Sequence, residues 1–192
     1  MNLTALDLFY GFTTNYHSFH LKGGLSDTTW THRIMGYFDQ LGRMLGYEVL
    51  FEHNRYDLTW RDYTEYHLYK KEEPEISLHL EHENQPDFDR ITSETLRNKI
   101  QASNAAVAVA IAYPNPESMF DNLENWINEN KQDFNAKETL IILDGAYIKV
   151  DRKPFDVFII NGKIKRKLTK ITGISKVLAS DNFYCIDWEG GR

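Results

Sequence analysis

The sequence predicts an α/β domain in which one mixed central β-sheet is flanked by helices, and three observations lead there. Segments with a helical repeat and segments with a two-residue repeat follow one another as helix, strand, strand, strand, helix, strand, helix, strand. Residues 105–113 are a run of Ala, Val and Ile closing on Tyr113, the composition of a strand buried on both faces. The chain has 192 residues, 42% hydrophobic and 26% charged, enough to bury roughly 70% of its unfolded surface without disulfide or metal staples. A single domain over 1–192 is expected.

Taken in order, the aromatic-rich stretch 1–24 reads as a short helix followed by a loop. Asp27 can cap a helix whose Ile34, Tyr37, Phe38, Leu41 and Leu45 recur at helical spacing until Gly46 ends it. Residues 47–51 and 56–60 read as two strands, and the charged residues before Pro74 as a turn. Ile76, Leu78 and Leu80 then alternate with Ser77, His79 and Glu81 in a third strand that runs to Glu83. Thr92 or Ser93 can cap a helix ending near Gln101, Pro116 opens another carrying Met119, Phe120, Leu123, Trp126 and Ile127, and 139–143 is a fifth strand. Further on, 155–160 reads as a strand and Asn161-Gly162 as a hairpin turn. The first three strands suit a meander, the later ones a parallel crossover.

Composition narrows the function classes. The one cysteine, Cys185, has no partner within the chain and fits a reducing cytosol. No apolar run reaches the roughly 18 residues of a membrane helix, and residues 1–7 lack the features of a secretory leader, so a cytoplasmic protein with no membrane association is expected. Formal charge is −6, but its distribution is uneven. Between Lys149 and Lys176 nine Lys or Arg stand against Asp151 and Asp156. Lys163, Lys165, Arg166, Lys167 and Lys170 are the candidates for contact with a nucleic-acid backbone; the other reading is a solvated amphipathic end, since Ile164, Leu168 and Ile171 interleave with them and suit a core. Phosphate-loop, dinucleotide-binding and serine-hydrolase signatures are absent from the sequence.

The pattern that points to chemistry is Asp57 at the start of the second strand, followed 24 residues later by Glu81 and Glu83. Alternation sends both glutamates to one side of the third strand, and an adjacent second strand brings Asp57 beside them. Crowded carboxylates raise one another's pKa unless a cation is present. An oxygen-rich shell of this kind suits Mg2+, with Mn2+ as substitute, and such an ion can assist phosphodiester hydrolysis. Asp57 and Glu81 would be direct ligands, and Glu83 a further ligand or the base for the attacking water.

This order of elements, with its Asp-bearing strand and a strand ending in Glu-x-Glu, resembles the PD-(D/E)xK nuclease superfamily, the restriction-endonuclease-like fold. The matching positions are Asp57, Glu81 and Glu83, and the matching span is 27–143, leaving 144–192 as a C-terminal basic extension. Two departures stand out: Tyr56 precedes Asp57 where the motif has proline, and Glu83 occupies the lysine position. The resemblance implies a Mg2+-dependent nuclease acting on nucleic acid, with DNA the expected substrate, and a replacement lysine from the following helix, where Lys99 and Arg97 are both candidates. Gln101 could face the same site or solvent, and Asp39 could be an added acidic group or an ordinary helix charge. A homodimer is the simplest arrangement for cutting both strands of a duplex.

Other readings remain open at this level. Ser77, His79, Glu81 and Glu83 could be a solvated strand face. His79, His82 and Glu81 could hold zinc, although alternation puts His82 on the opposite face. His17 and His20 are close in sequence but have no companion ligand. A catalytically inactive nucleic-acid-binding or protein-interaction module would also account for the missing strand lysine.

Overall fold

The computed structural model describes residues 3–16, 27–62, 74–148, 152–162, 167–177 and 184–188, with backbone alone for 27–29. It is an α/β protein whose eight strands form one mixed sheet in chain order, covered by helices on both faces. The elements are α1 (Ala5–Thr14), α2 (Asp27–Met44), β1 (Tyr47–His53), β2 (Tyr56–Asp62), β3 (Ile76–Glu83), a π-helix (Arg90–Gln101), β4 (Val107–Ala112), α3 (Met119–Asn130), β5 (Glu138–Asp144), β6 (Arg152–Asn161), β7 (Lys167–Val177) and β8 (Tyr184–Trp188). Strands β1 to β3 are the expected antiparallel meander, β3, β4 and β5 run parallel, and β5 to β8 return to antiparallel pairing. No helix among the described residues is long and apolar enough to cross a membrane.

Parallel neighbours need a crossover, and two crossovers advancing in the same direction with the same hand fall on one face of a sheet. The π-helix and α3 accordingly share a layer, their Ile91, Leu96, Ile100, Phe120, Leu123 and Ile127 packing with Ala108, Ala110, Ala112, Ile141 and Leu143. The opposite layer is α1 and α2, whose Leu8, Phe12, Ile34 and Phe38 pack with Leu78, Leu80, Val107, Val109 and Ile111. Strand β4 thus gives its alanines to the crossover helices and its larger residues to α1 and α2, as a period of two demands.

Local chemistry explains the helix ends. Thr4 and Asp7 make a reciprocal capping box at α1. Gly46, at φ +87°, supplies the left-handed turn that separates α2 from β1. Gly42 serves a different purpose: a Cβ there would lie 2.6 Å from the Trp60 ring and 2.7 Å from Val49, so the glycine lets α2 approach the sheet. The π-helix begins earlier than its sequence suggested, at Arg90, because Asp87 takes the first amides while Thr92 donates its hydroxyl back to the Phe88 carbonyl 2.8 Å away and caps nothing. Similarly, Pro116 belongs to the turn ahead of α3, which starts at Met119.

The segment beyond residue 143 continues the sheet, with β6 pairing β5 from Phe155 to Asn161 and β7 pairing β6 along its length. Below α1, Tyr16 donates to Asp144 at 2.7 Å, a buried polar contact that sequence periodicity did not single out. Burial pushes the Asp144 carboxyl from 3.8 up to about 7, with the Tyr16 hydroxyl and Lys153 holding it down.

Two outcomes are expected. Gly42→Ala should destabilise the protein by about 1–3 kcal/mol in urea denaturation, because Trp60 is fully buried and has no space to retreat. The folded chain retains a proton on Asp144 between pH 3.8 and about 7 that the unfolded chain releases, so this residue's contribution is most favourable at low pH and declines as pH rises through that window. Asp144→Asn should therefore gain stability relative to wild type on going from pH 5 to pH 8, by roughly 1–3 kcal/mol, measured as the difference between denaturation curves at the two pH values.

Candidate active site

The pairing Leu58↔Leu80 and Thr59↔His79 carries β2 and β3 to a point where Asp57 lies beside Glu81. There side chains take over from the ladder. The Asp57 amide donates to Glu81 Oε1 at 3.2 Å, and the His82 amide donates to Asp57 Oδ2 at 2.7 Å. Glu81 is only 3% exposed. From the π-helix above it, Lys99 brings its ammonium to 2.5 Å from Glu81 Oε2 while remaining partly open to solvent.

These contacts set the electrostatics. Burial and the neighbouring Asp57 charge push Glu81 up to about 7, against the opposing pull of Lys99. Asp57 is also raised, chiefly by burial, with Glu83 and Glu52 adding to the rise and the His82 amide and Lys99 opposing it. Two oxygen donors and one ammonium therefore converge where the sequence placed Asp57, Glu81 and a candidate lysine.

The π-helix accounts for the choice between Lys99 and Arg97. Its wider turn aligns positions four to five apart, so Arg90, Thr95 and Lys99 follow the polar side of β3. Arg90 and Thr95 reach Glu83 Oε2 at 3.2 and 3.4 Å, and Lys99 reaches Glu81. Arg97 lies over the Trp126 ring instead, 5.8 Å from its centroid. Glu83, expected as a ligand or base, shares the face of Glu81 but is occupied by Arg90, Thr95 and the Gln85 amide, the last at 2.8 Å.

Several other readings are corrected by burial. The polar side of β3 is not a solvated face, since His79 is 2% exposed and lies under the helix. Gln101 is buried as well, at 7% exposure, and donates to the Asn130 carbonyl. A zinc site from His79, His82 and Glu81 is not assembled: His79 Nδ1 meets Ser103 at 2.8 Å in one layer, and His82 Nε2 meets the Tyr113 hydroxyl at 2.8 Å in the other. Burial lowers both imidazoles to about 4, with His53 adding to the effect on His79. Asp39 pairs with Arg43 one helical turn away. No group of three or more His, Cys, Asp or Glu is placed to hold a metal among the described residues.

Of the five C-terminal cations, Lys167 and Lys170 are among the described residues, and these two do not share a face. A strand's alternation sends Lys167 and Lys170 to opposite faces of β7. Lys167 is exposed beside Thr4, Leu6 and Ile171, whereas Lys170 is committed to Glu124 at 2.6 Å and Asp156 at 3.1 Å. Lys163, Lys165 and Arg166, like His17 and His20, lie outside the described residues.

Sequence reasoning passed over Tyr56 as a site residue. Its ring stacks on His79 with centroids 3.6 Å apart and planes 10° from parallel, and its hydroxyl donates to the Lys99 carbonyl at 3.0 Å. Together with Ser103 it floors the site and anchors the end of the π-helix that carries Lys99. Its position immediately before Asp57 was the available signal.

Removing the cation tests the local electrostatics. Lys99→Met keeps the apolar stem and should raise the Glu81 midpoint from about 7 by about 1–3 pH units, read from the carboxyl carbon in an NMR titration.

Comparison with protein families and with curated proteins finds no match. Among solved structures, the chain is similar to the central domain of yeast acetyl-CoA carboxylase at 11% identity and a TM-score of 0.38, over 80% of this chain and 26% of that one. The chain thus spans about a quarter of that protein's length, and a likeness so low speaks neither for fold nor for activity.

Proposed function

We propose that the chain is a metal-dependent nuclease of the PD-(D/E)xK type that hydrolyses phosphodiester bonds in DNA. The observation that carries this reading is the Lys99 ammonium, delivered from the helix after β3 to Glu81 at 2.5 Å. It stands in for the strand lysine whose position Glu83 occupies.

The donor set fits Mg2+, which commonly binds through one or two carboxylates and fills the rest of its shell with water and substrate phosphate oxygens. Asp57 and Glu81 would hold it, with Mn2+ as substitute. Bound there, the ion supplies Lewis acidity and positive charge at the phosphate. Asp57 is oriented for that role by the His82 amide, and Glu81 by the Asp57 amide and by Lys99. The Lys99 ammonium favours the ionised form of Glu81 against burial and the Asp57 charge, and its partly exposed end can donate to the attacking water or to a phosphate oxygen, stabilising charge as it builds. Glu83, engaged by Arg90, serves to position the π-helix.

A two-fold homodimer would present one site to each strand of a duplex. A cytoplasmic location accords with Cys185, free and only partly exposed. With Lys170 spent on Glu124 and Asp156, the cations nearest the site take precedence over it as contacts for DNA.

Asp57→Asn, Glu81→Gln and Lys99→Ala should each reduce Mg2+-dependent cleavage of a DNA duplex by at least about 10²-fold, while circular dichroism and duplex binding persist. Cleavage unaffected by all three would sink the nuclease reading; binding without any wild-type cleavage would leave a nucleic-acid-binding module that uses the same fold.

A further inference from the structure

The hairpin joining β1 to β2 closes on two residues, Asn54 and Arg55, between the paired His53 and Tyr56. Both adopt left-handed backbone, with φ of 51° and 76°. Two-residue hairpins require this to match strand twist, and the second position is ordinarily glycine, because a Cβ there crowds the following carbonyl. Asn tolerates such geometry through its short polar side chain; an arginine gains nothing from it. Something other than turn formation must account for a long cation at φ 76°.

Its surroundings suggest what. Arg55 is exposed and makes no ion pair or hydrogen bond among the described residues, in contrast to Arg43, Arg61, Arg90, Lys99, Lys170 and Lys176, each within 3.4 Å of a carboxylate. It directly precedes Tyr56, whose ring stacks on His79 and whose hydroxyl donates to the Lys99 carbonyl, and it stands two residues before Asp57. Asp57, Glu81 and Glu52 make this end of β2 and β3 acidic, which repels a polyanion. Lys99 is committed to Glu81 and Arg90 to Glu83, so an uncommitted guanidinium at the hairpin tip offsets that repulsion.

We propose that Arg55 binds a backbone phosphate of DNA next to the one placed at Asp57, Glu81 and Lys99. The planar guanidinium fork suits a bidentate grip on phosphate, and such a contact fixes register without reading sequence. The inference rests on the nuclease reading for its choice of DNA, yet it concerns binding and can be judged without cleavage.

The test compares wild type with Arg55→Gly and Arg55→Lys on a mixed-sequence DNA duplex in Ca2+, with cleavage followed separately in Mg2+. Glycine relieves the turn, so its melting temperature should equal or exceed that of wild type. Its affinity should nevertheless fall by about tenfold, and the slope of log affinity against log salt should flatten by about 0.9, the signature of one lost phosphate contact. Lysine should keep the slope and lose part of the affinity. An Arg55→Gly protein that binds with wild-type affinity and slope overturns the proposal, as does a wild type that binds no duplex. If wild type binds but never cuts and Arg55→Gly still weakens binding, the phosphate contact stands and the nuclease reading falls; if wild type cuts and Arg55→Gly changes nothing, the reverse holds.

Discussion

A carboxylate taken out of water on an interior strand must be neutralised or met by a cation, and Glu81 is met by Lys99. Much of the architecture around β3 follows from this pairing. The strand lies where the antiparallel meander gives way to parallel pairing, so the chain leaving it must cross over the sheet, and the crossover helix covers the polar side of the strand. That helix therefore has to supply partners in register with β3. Arg90 and Thr95 meet Glu83, Lys99 meets Glu81, and Ser103, just beyond the helix end, meets His79. The π-type spacing keeps the three helical residues on one side along that length.

The opposite side of β3 obeys the same period with other chemistry. Leu78 and Leu80 enter the layer of α1 and α2, and His82 follows them to a neutral contact with Tyr113. Two polar groupings thus coexist within a few residues yet belong to different layers: a charged, partly open one under the π-helix, and a buried one of Tyr113, Tyr16 and Asp144 under α1 and α2. Separation by the sheet keeps the His82 imidazole and Asp144 away from the carboxylates of Asp57 and Glu81.

Around that charged site, a costly backbone conformation and the candidate functional groups meet in neighbouring residues. Tyr56 lies between the left-handed Arg55 and the site carboxylate Asp57, stacks on His79 and holds the helix carrying Lys99. The hairpin and the helix are tied together through this one side chain, so the distance from the hairpin tip to Lys99 is set by packing and not by loop flexibility. A site built this way is preorganised on a strand, a tight turn and a helix.

The sequence by itself determined the α/β class, the three-stranded meander, the burial of 107–113 on both faces and the shared side of Glu81 and Glu83, because each is a consequence of hydrophobic period and side-chain alternation within a few residues. It narrowed the cationic partner to Lys99 or Arg97 without separating them, since the angular spacing of a helix depends on whether its turns are α or π, and that is settled by what it packs against. Only the tertiary structure decided that Lys99 meets Glu81 while Arg97 turns to Trp126, that Glu83 is engaged by Arg90, and that Lys170 is spent on Glu124 and Asp156. Ion pairs between elements depend on three-dimensional proximity, and a cation close in sequence to others can end on the far side of a sheet. The burial of His79 and Gln101 was hidden for the same reason: a polar residue enters a layer when the covering element supplies its partner, as Ser103 and the Asn130 carbonyl do here.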